Sequence, residues 1–314
     1  MKFEPQFRLR PLPDIPSAAA PAVQAVLEEG AGDPSLGFIR DLPGVWKGSG
    51  FNVIWRPNST PGQDRFLELN LTTEELEFSE SIGEIPNRGF LQGDIVMHGI
   101  TYMQKIGDAN LNAGIHIEPG IWASVPKTDN PAEPATVVRM ATIPHGTSLL
   151  AQGTGSEVAG GPNIPDNNIT PFVIGDPTQL ITTFPEPNLS VASDFRSPPP
   201  QLVGITQAMV DNPNSTLKAA LQSQEIASTV TLDVSTAPPT PIVGGGTANT
   251  AFLKGLQAGP NADAVTASST FWIERVVGQG VGPDFLQLQY TQLVLLNFNT
   301  LSWPHVSVAT LRKQ

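Results

Sequence analysis

The chain has no cysteine among its 314 residues, and it is short of positive charge. Without a thiol it cannot form disulfides, zinc-thiolate sites, iron-sulfur clusters, a cysteine nucleophile or a thiolate haem ligand. Its 17 Lys and Arg against 29 Asp and Glu give a formal charge of −12, which disfavours nucleic acid and anionic membranes as partners. Four histidines are left as imidazole ligands for a metal.

Long apolar runs are also missing. No stretch approaches the roughly 20 apolar residues of a transmembrane helix, and the start, MKFEPQFRLRPLPDIP, lacks the apolar core of a secretory signal. These absences predict a chain without a membrane span that resides in the cytoplasm. Turn formers, in contrast, are abundant: 29 glycines and 31 prolines exceed the roughly 12% of an average composition, which favours β-structure and loops over helix bundles.

Composition divides the chain into three regions. Residues 1–40 form a Pro-rich arm with a short helix predicted over Pro21–Glu29. Residues 41–155 and 262–314 alternate apolar and polar side chains in segments separated by Gly, Pro, Asn and Asp, which is typical of β-strands. Residues 156–261 are rich in Pro and Gly, and we expect an ordered insertion that packs on the strand domain or on a neighbouring subunit.

The insertion itself contains two periodic segments. A helix is predicted over Ser215–Gln224, and a strand follows in which Ile226, Val230, Leu232 and Val234 share one face. In the first half of the strand domain, the segments RFLELNLTTE and ELEFSES are predicted to form two separate strands.

The strand count predicts an all-β fold. About ten antiparallel strands follow one another along the chain, and closure into an up-and-down barrel is the simplest way to pair every edge. A barrel of eight strands is nearly filled by side chains, so ten strands leave room for a larger ligand. A two-layer sandwich without a cavity is the alternative, because alternation alone does not separate the two.

The segment LPGVWKGSG begins the first strand. It places Gly44, Trp46, Gly48 and Gly50 at alternate positions, where the glycines allow close approach on one face and the indole can plug an end of a barrel. The segment lacks the later glycine and the helix of a dinucleotide-binding loop.

The segment GIHIEPGIW carries a histidine and a carboxylate together. Alternation puts His116, Glu118, Gly120 and Trp122 on one face and the isoleucines on the other. An apolar face normally points into a barrel, which would leave His116 outside or paired only with Glu118. A break in the alternation at Pro119 would allow either face to turn inward, and both possibilities stay open.

The other three histidines lie in different contexts. His145 lies in an apparent hairpin turn, where a side chain at a barrel mouth can touch a ligand. His305 shares a strand face with Ser307 and Ala309, small neighbours that leave volume for a flat group. His98 shares a face with the apolar side chains of its strand and is predicted to point inward.

Taken together and in this order, the Gly-x-Trp-x-Gly-x-Gly segment, the His-x-Glu-x-Gly segment, PHGTSLLAQG and the terminal His305 before TLRK resemble the nitrobindin family. The resemblance covers roughly residues 40–155 and 265–314. It implies a lipocalin-like barrel of ten strands, similar to fatty-acid-binding proteins, that holds haem b with His305 as the proximal iron ligand. The N-terminal arm and the insertion are absent from the family pattern.

The resemblance also implies roles for other side chains. Trp46 and His98 would contact the haem, and Arg88 and Arg139 are candidates for its propionates, together with Lys105 and Arg56. Peroxide chemistry needs a distal acid or base, for which the candidates are His116 oriented by Glu118, and also His145 or His98.

Three functions follow. The first is a haem protein that binds or transforms a diatomic gas, a nitrogen oxide or peroxide, as a peroxidase or a peroxynitrite isomerase. The second is a carrier of a fatty acid or another apolar small molecule, without catalysis. The third is a scaffold with a filled barrel that forms a homo-oligomer through the insertion. Serine hydrolases are disfavoured, because GTGSEVAGG has the wrong spacing for a nucleophile elbow.

Overall fold

A computed structural model describes residues 32–58, 64–143, 146–237, 244–250, 262–278 and 282–314. The helix predicted over Pro21–Glu29 lies outside these ranges, and so does His145. None of the helices within them is long and apolar enough to cross a bilayer.

The described residues form sixteen strands and four short helices. The strands are β1 Gly44–Pro57, β2 Arg65–Phe78, β3 Glu84–Asn87, β4 Ile95–Asp108, β5 Ala113–Val125, β6 Thr128–Asp129, β7 Ala132–Glu133, β8 Thr136–Ile143, β9 Thr147–Ala159, β10 Phe172–Val173, β11 Asp176–Leu180, β12 Ile226–Ser235, β13 Gly246–Asn249, β14 Asp263–Val276, β15 Phe285–Phe298 and β16 Leu301–Lys313. The helices are α1 Gln207–Asp211, α2 Ser215–Leu221 and two 3₁₀ turns, Pro34–Ile39 and Pro199–Leu202.

Ten of these strands close into a barrel. Their order around the wall is β1-β2-β4-β5-β8-β9-β12-β14-β15-β16, and β16 returns to pair with β1 from Trp46–Lys313 to Ile54–His305. All neighbours are antiparallel. The predicted all-β antiparallel barrel of ten strands is confirmed, and the sandwich alternative is wrong.

Two strands differ from the sequence-based prediction. β2 runs unbroken from Arg65 to Phe78, so RFLELNLTTE and ELEFSES form one strand and not two. β12, which the prediction placed in the insertion, lies in the barrel wall between β9 and β14 because Val230, Leu232 and Val234 belong to the interior core. The segment outside the wall between these strands is therefore 160–225, shorter than the predicted 156–261.

One end of the barrel is closed. The Asp33 carboxylate accepts a hydrogen bond from the Ser35 amide at 2.9 Å and caps the first 3₁₀ turn. This turn brings Leu36 and Ile39 into the interior core, beside Trp46, whose Nε1 donates to the Leu42 carbonyl at 2.7 Å. Residues 34–39, predicted as part of the arm, thus form the plug of this end.

The insertion packs against the outside of the barrel wall. Apolar side chains of β1, β2 and β16 meet those of 160–225 in a second buried cluster, in which Trp303 lies 5.3 Å from Trp55 and stacks on Phe184 at 5.4 Å between ring centroids. Leu217 of the predicted helix, observed as α2, joins this cluster. The insertion therefore covers the outer face of β16, the strand that carries His305 on its inner face.

Candidate functional site

A cavity of about 450 Å³ lies at the end of the barrel away from the 3₁₀ plug. Strand register divides its lining into two zones. The zone nearer the mouth, here called the apolar collar, comprises Ile54, Ile106, Ile143, Val294 and Leu296. The deeper zone, here called the polar floor, comprises Asn52, Gln104, Tyr290, Gln292 and Ser307. A cavity of this size and polarity suits one small organic ligand.

His305 and His116 both line this cavity. His305 pairs in register with Ile54 of β1 and Val294 of β15, at the level of the apolar collar. His116 pairs with Ile106 of β4. Three strands separate β16 from β5 around one side of the barrel and five around the other, so the two imidazoles approach the cavity from nearly opposite walls.

Beside the polar floor lies a buried network centred on Glu118. Its Oε1 accepts hydrogen bonds from Arg139 Nη2 at 2.5 Å and from the Tyr102 hydroxyl, and its Oε2 lies 3.4 Å from His116 Nε2. Arg139 also donates to Ser269 at 2.8 Å and to Gln292 at 2.6 Å. The network thus connects three barrel strands on one side to two on the other.

Electrostatics within this network favour the ion pair. Burial alone would raise the pKa of Glu118, but the Arg139 guanidinium, together with hydrogen bonds from His116 and Tyr102, lowers it to about 2. Burial disfavours the charged form of Arg139, yet Glu118 holds the pKa of Arg139 above its usual value. Glu118 and Arg139 are therefore both charged at neutral pH.

These contacts decide which face of β5 points inward. Of the two possibilities that the sequence left open, the polar face turns inward: Glu118 and Trp122 are buried inside, while Ile117 is exposed outside. The reason is that Glu118 finds Arg139 and Tyr102 on neighbouring strands, which compensates for the loss of water around a charge. Gly120 makes the arrangement possible, because a Cβ there would lie 2.4 Å from the Tyr102 ring.

Sequence reasoning missed a second buried carboxyl, Glu74. Its Oε2 accepts from the Tyr290 hydroxyl at 2.6 Å and from Gln104 Nε2 at 3.3 Å, and its Oε1 accepts from Thr72 at 2.8 Å. Burial raises the pKa of Glu74 and favours its neutral form. Its alternation with the buried Leu76 and Phe78 was the available signal in the sequence.

Other predicted contact residues lie away from the cavity. Trp46 is part of the closed end, and His98 pairs with Ser124 toward that same end. Arg88 is exposed beside the β3–β4 turn and forms an ion pair with Asp94.

Of the remaining candidate cations, Lys105 bonds Glu75 at 3.0 Å on the outer surface. Arg139 faces inward but does not line the cavity, because it donates hydrogen bonds to Glu118, Tyr102, Ser269 and Gln292. Arg56 is the one at the cavity rim, where its Nε donates to Glu68 at 2.8 Å.

No group of three or more His, Asp or Glu that could hold a metal ion occurs within the described ranges.

Strand pairing and the internal cavity define the class of protein: a closed, ten-stranded antiparallel β-barrel with room for one ligand. Within that class, no family model matches the chain, and no curated protein matches it. Among solved structures, the crystal structure of Rv2717c from M. tuberculosis aligns over 90% of this chain and 98% of its own, with 14% sequence identity and a TM-score of 0.41. A likeness at that level carries no argument about function.

Proposed function

We propose that the cavity binds haem b with His305 as the axial ligand, and that the protein acts on nitrogen oxides or peroxide, as a peroxidase or a peroxynitrite isomerase. The resemblance of the sequence motifs to nitrobindins suggests this function. The observation that carries it is the placement of His305 and His116 on nearly opposite walls of one cavity.

The residues around His305 fit such a group. Ile54 and Val294 of the apolar collar flank the imidazole on the two neighbouring strands and would contact the porphyrin, and Arg56 at the rim would pair with a propionate. When bound, haem would supply an iron centre able to coordinate a diatomic molecule or peroxide.

His116 would act on the opposite side as a proton acceptor and donor. Its Nε2 lies 3.4 Å from Oε2 of the Glu118 carboxylate, which orients the ring. Glu118 and Arg139 are positioning residues in this scheme, because they reach the ligand only through His116 and Gln292.

Hemin titration followed by absorption tests the proposal. We expect a Soret band in the wild-type protein, its loss in His305→Ala, and its retention in His98→Ala. His98→Ala is a matched control, because His98 also lies in a strand of the barrel wall but near the closed end, away from the cavity. Equal Soret bands in the two variants, or no Soret band in the wild type, would overturn the assignment.

A non-enzymatic carrier of an apolar molecule is the second candidate. The cavity favours this function, because its apolar collar would contact the apolar part of such a ligand and its polar floor would bind a single polar group. Extraction of a colourless protein that retains a lipid and takes up no hemin would support the carrier.

A further inference from the structure

We propose that the polar floor accepts an uncharged hydrogen-bonding group, such as a hydroxyl, an amide or a hydroperoxide, and rejects an anion. The inference rests on the proposed use of this cavity for binding, but not on which group His305 holds. Among the candidate substrates named above, it favours the neutral ones, nitric oxide and hydrogen peroxide, over anions such as peroxynitrite or a carboxylate.

The first argument is the lack of an available cation. Among the described residues that line the cavity, the only Lys or Arg is Arg56, which lies at the rim, is 44% exposed and bonds Glu68. An anion that leaves water needs a buried cation or several N–H donors to replace its hydration. The polar floor contains no such cation.

The second argument concerns Arg139, the buried cation beside the floor. It donates hydrogen bonds to four side chains: to Tyr102 at 3.0 Å, to Ser269 at 2.8 Å, to Gln292 at 2.6 Å and to Glu118 at 2.5 Å. Glu118 already balances its charge. An anion on the floor would therefore compete with a buried carboxylate for a guanidinium whose donors are mostly in use.

The third argument is the chemistry of the floor itself. Three amides and two hydroxyls form it, and each is a neutral donor, acceptor or both. Asn52 is only 3% exposed, and its Oδ1 has no hydrogen-bond partner within the described residues. A carbonyl oxygen in that situation attracts an O–H or N–H donor and repels an anionic oxygen. Tyr290 and Gln104 are held in place by Glu74.

Displacement of the neutral dye Nile red from the protein without added hemin tests the inference, with decan-1-ol, decanamide and decanoate as competitors of equal chain length. At pH 8 we expect the alcohol and the amide to displace the dye at concentrations at least tenfold lower than decanoate. At pH 4, where about half or more of the acid is neutral, decanoic acid should approach the alcohol. This comparison needs no variant.

A charge variant sharpens the test. Glu118→Gln leaves Arg139 without its counter-ion, so decanoate should bind at least tenfold more tightly than to the wild type. Glu77→Gln, an exposed carboxylate on the outer face of β2, is the matched control and should leave the order of competitors unchanged.

Decanoate that competes as well as decanol at pH 8, or no displacement by either neutral competitor, would overturn the inference. Loss of the haem assignment has a separate readout, the His305-dependent Soret band, so the two failures are distinguishable.

Discussion

Arg139 and Glu118 form an ion pair inside the barrel, with 2.5 Å between Nη2 and Oε1 and side chains that are 2% and 0% exposed. Such a pair contributes little to net stability when intact, because both charges have lost their water. Removal of one partner alone is costly, since the other charge stays buried without compensation.

Arg139→Met should therefore lower the free energy of unfolding by about 3–5 kcal/mol, measured by urea denaturation. The double variant Glu118→Gln/Arg139→Met should recover part of this loss, because no charge is left unpaired. Lys105→Met, which breaks an exposed pair with Glu75, should cost less than about 1 kcal/mol. Equal losses for Arg139→Met and Lys105→Met would contradict the buried ion pair.

Glu118 should also make stability depend on acid pH. Its pKa falls from 4.5 to about 2 on folding, so the folded state binds fewer protons than the unfolded state in that interval. This shift makes the folded state more stable above pH 5 than near pH 2, by on the order of 3 kcal/mol in the free energy of unfolding. Between pH 2 and pH 7, the free energy of unfolding measured by urea denaturation should change less with pH for Glu118→Gln than for Glu77→Gln.

Glu274 should have the opposite effect. Burial raises its pKa to about 8, against which a hydrogen bond from Gln287 at 2.6 Å acts only in part. The folded state then binds more protons than the unfolded state between about pH 4.5 and pH 8, so stability falls as the pH rises through this range.

Glu274→Gln should remove that decline and make the protein more stable than the wild type at pH 9, by a few kcal/mol in urea denaturation. Glu84→Gln, an exposed carboxylate in β3, serves as the control and should keep the wild-type slope. A wild-type slope in Glu274→Gln would show that another group titrates.

Gly120 should tolerate no side chain. A Cβ there would lie 2.4 Å from Tyr102 Cε1 and 2.5 Å from the Met140 carbonyl oxygen. Gly120→Ala should therefore destabilise the fold by about 1–3 kcal/mol and move the Tyr102 hydroxyl away from Glu118. Gly114→Ala on the same strand meets no atom within 4 Å, and its thermal unfolding should match the wild type.

Alternation along single strands predicted much of the fold, because each long strand has one face inside. On β15, for example, Leu288, Tyr290 and Val294 face inward. The inward polar face of β5 was not predictable in this way, since the partners that stabilise Glu118 come from β4 and β8. Likewise, β12 was difficult to assign to the wall because its neighbours in sequence are rich in Pro and Gly.

The cavity was predictable only in part. The resemblance to nitrobindins singled out His305, whose neighbours on the strand face are small, and the structure places it beside the cavity. Its relation to His116 depends on how many strands lie between β5 and β16, which follows from closure and not from either segment. The amides of the floor have no local motif, and only their joint burial reveals them.

The plug formed by Leu36, Ile39 and Trp46 has a kinetic consequence. Side chains fill the interior from that end up to the polar floor, so a ligand cannot pass through the barrel. Binding and dissociation must both occur through the open end. A second ligand can bind only after the first has dissociated. The rate of ligand exchange should therefore reach a plateau, set by dissociation of the first ligand, as the concentration of the second ligand is raised.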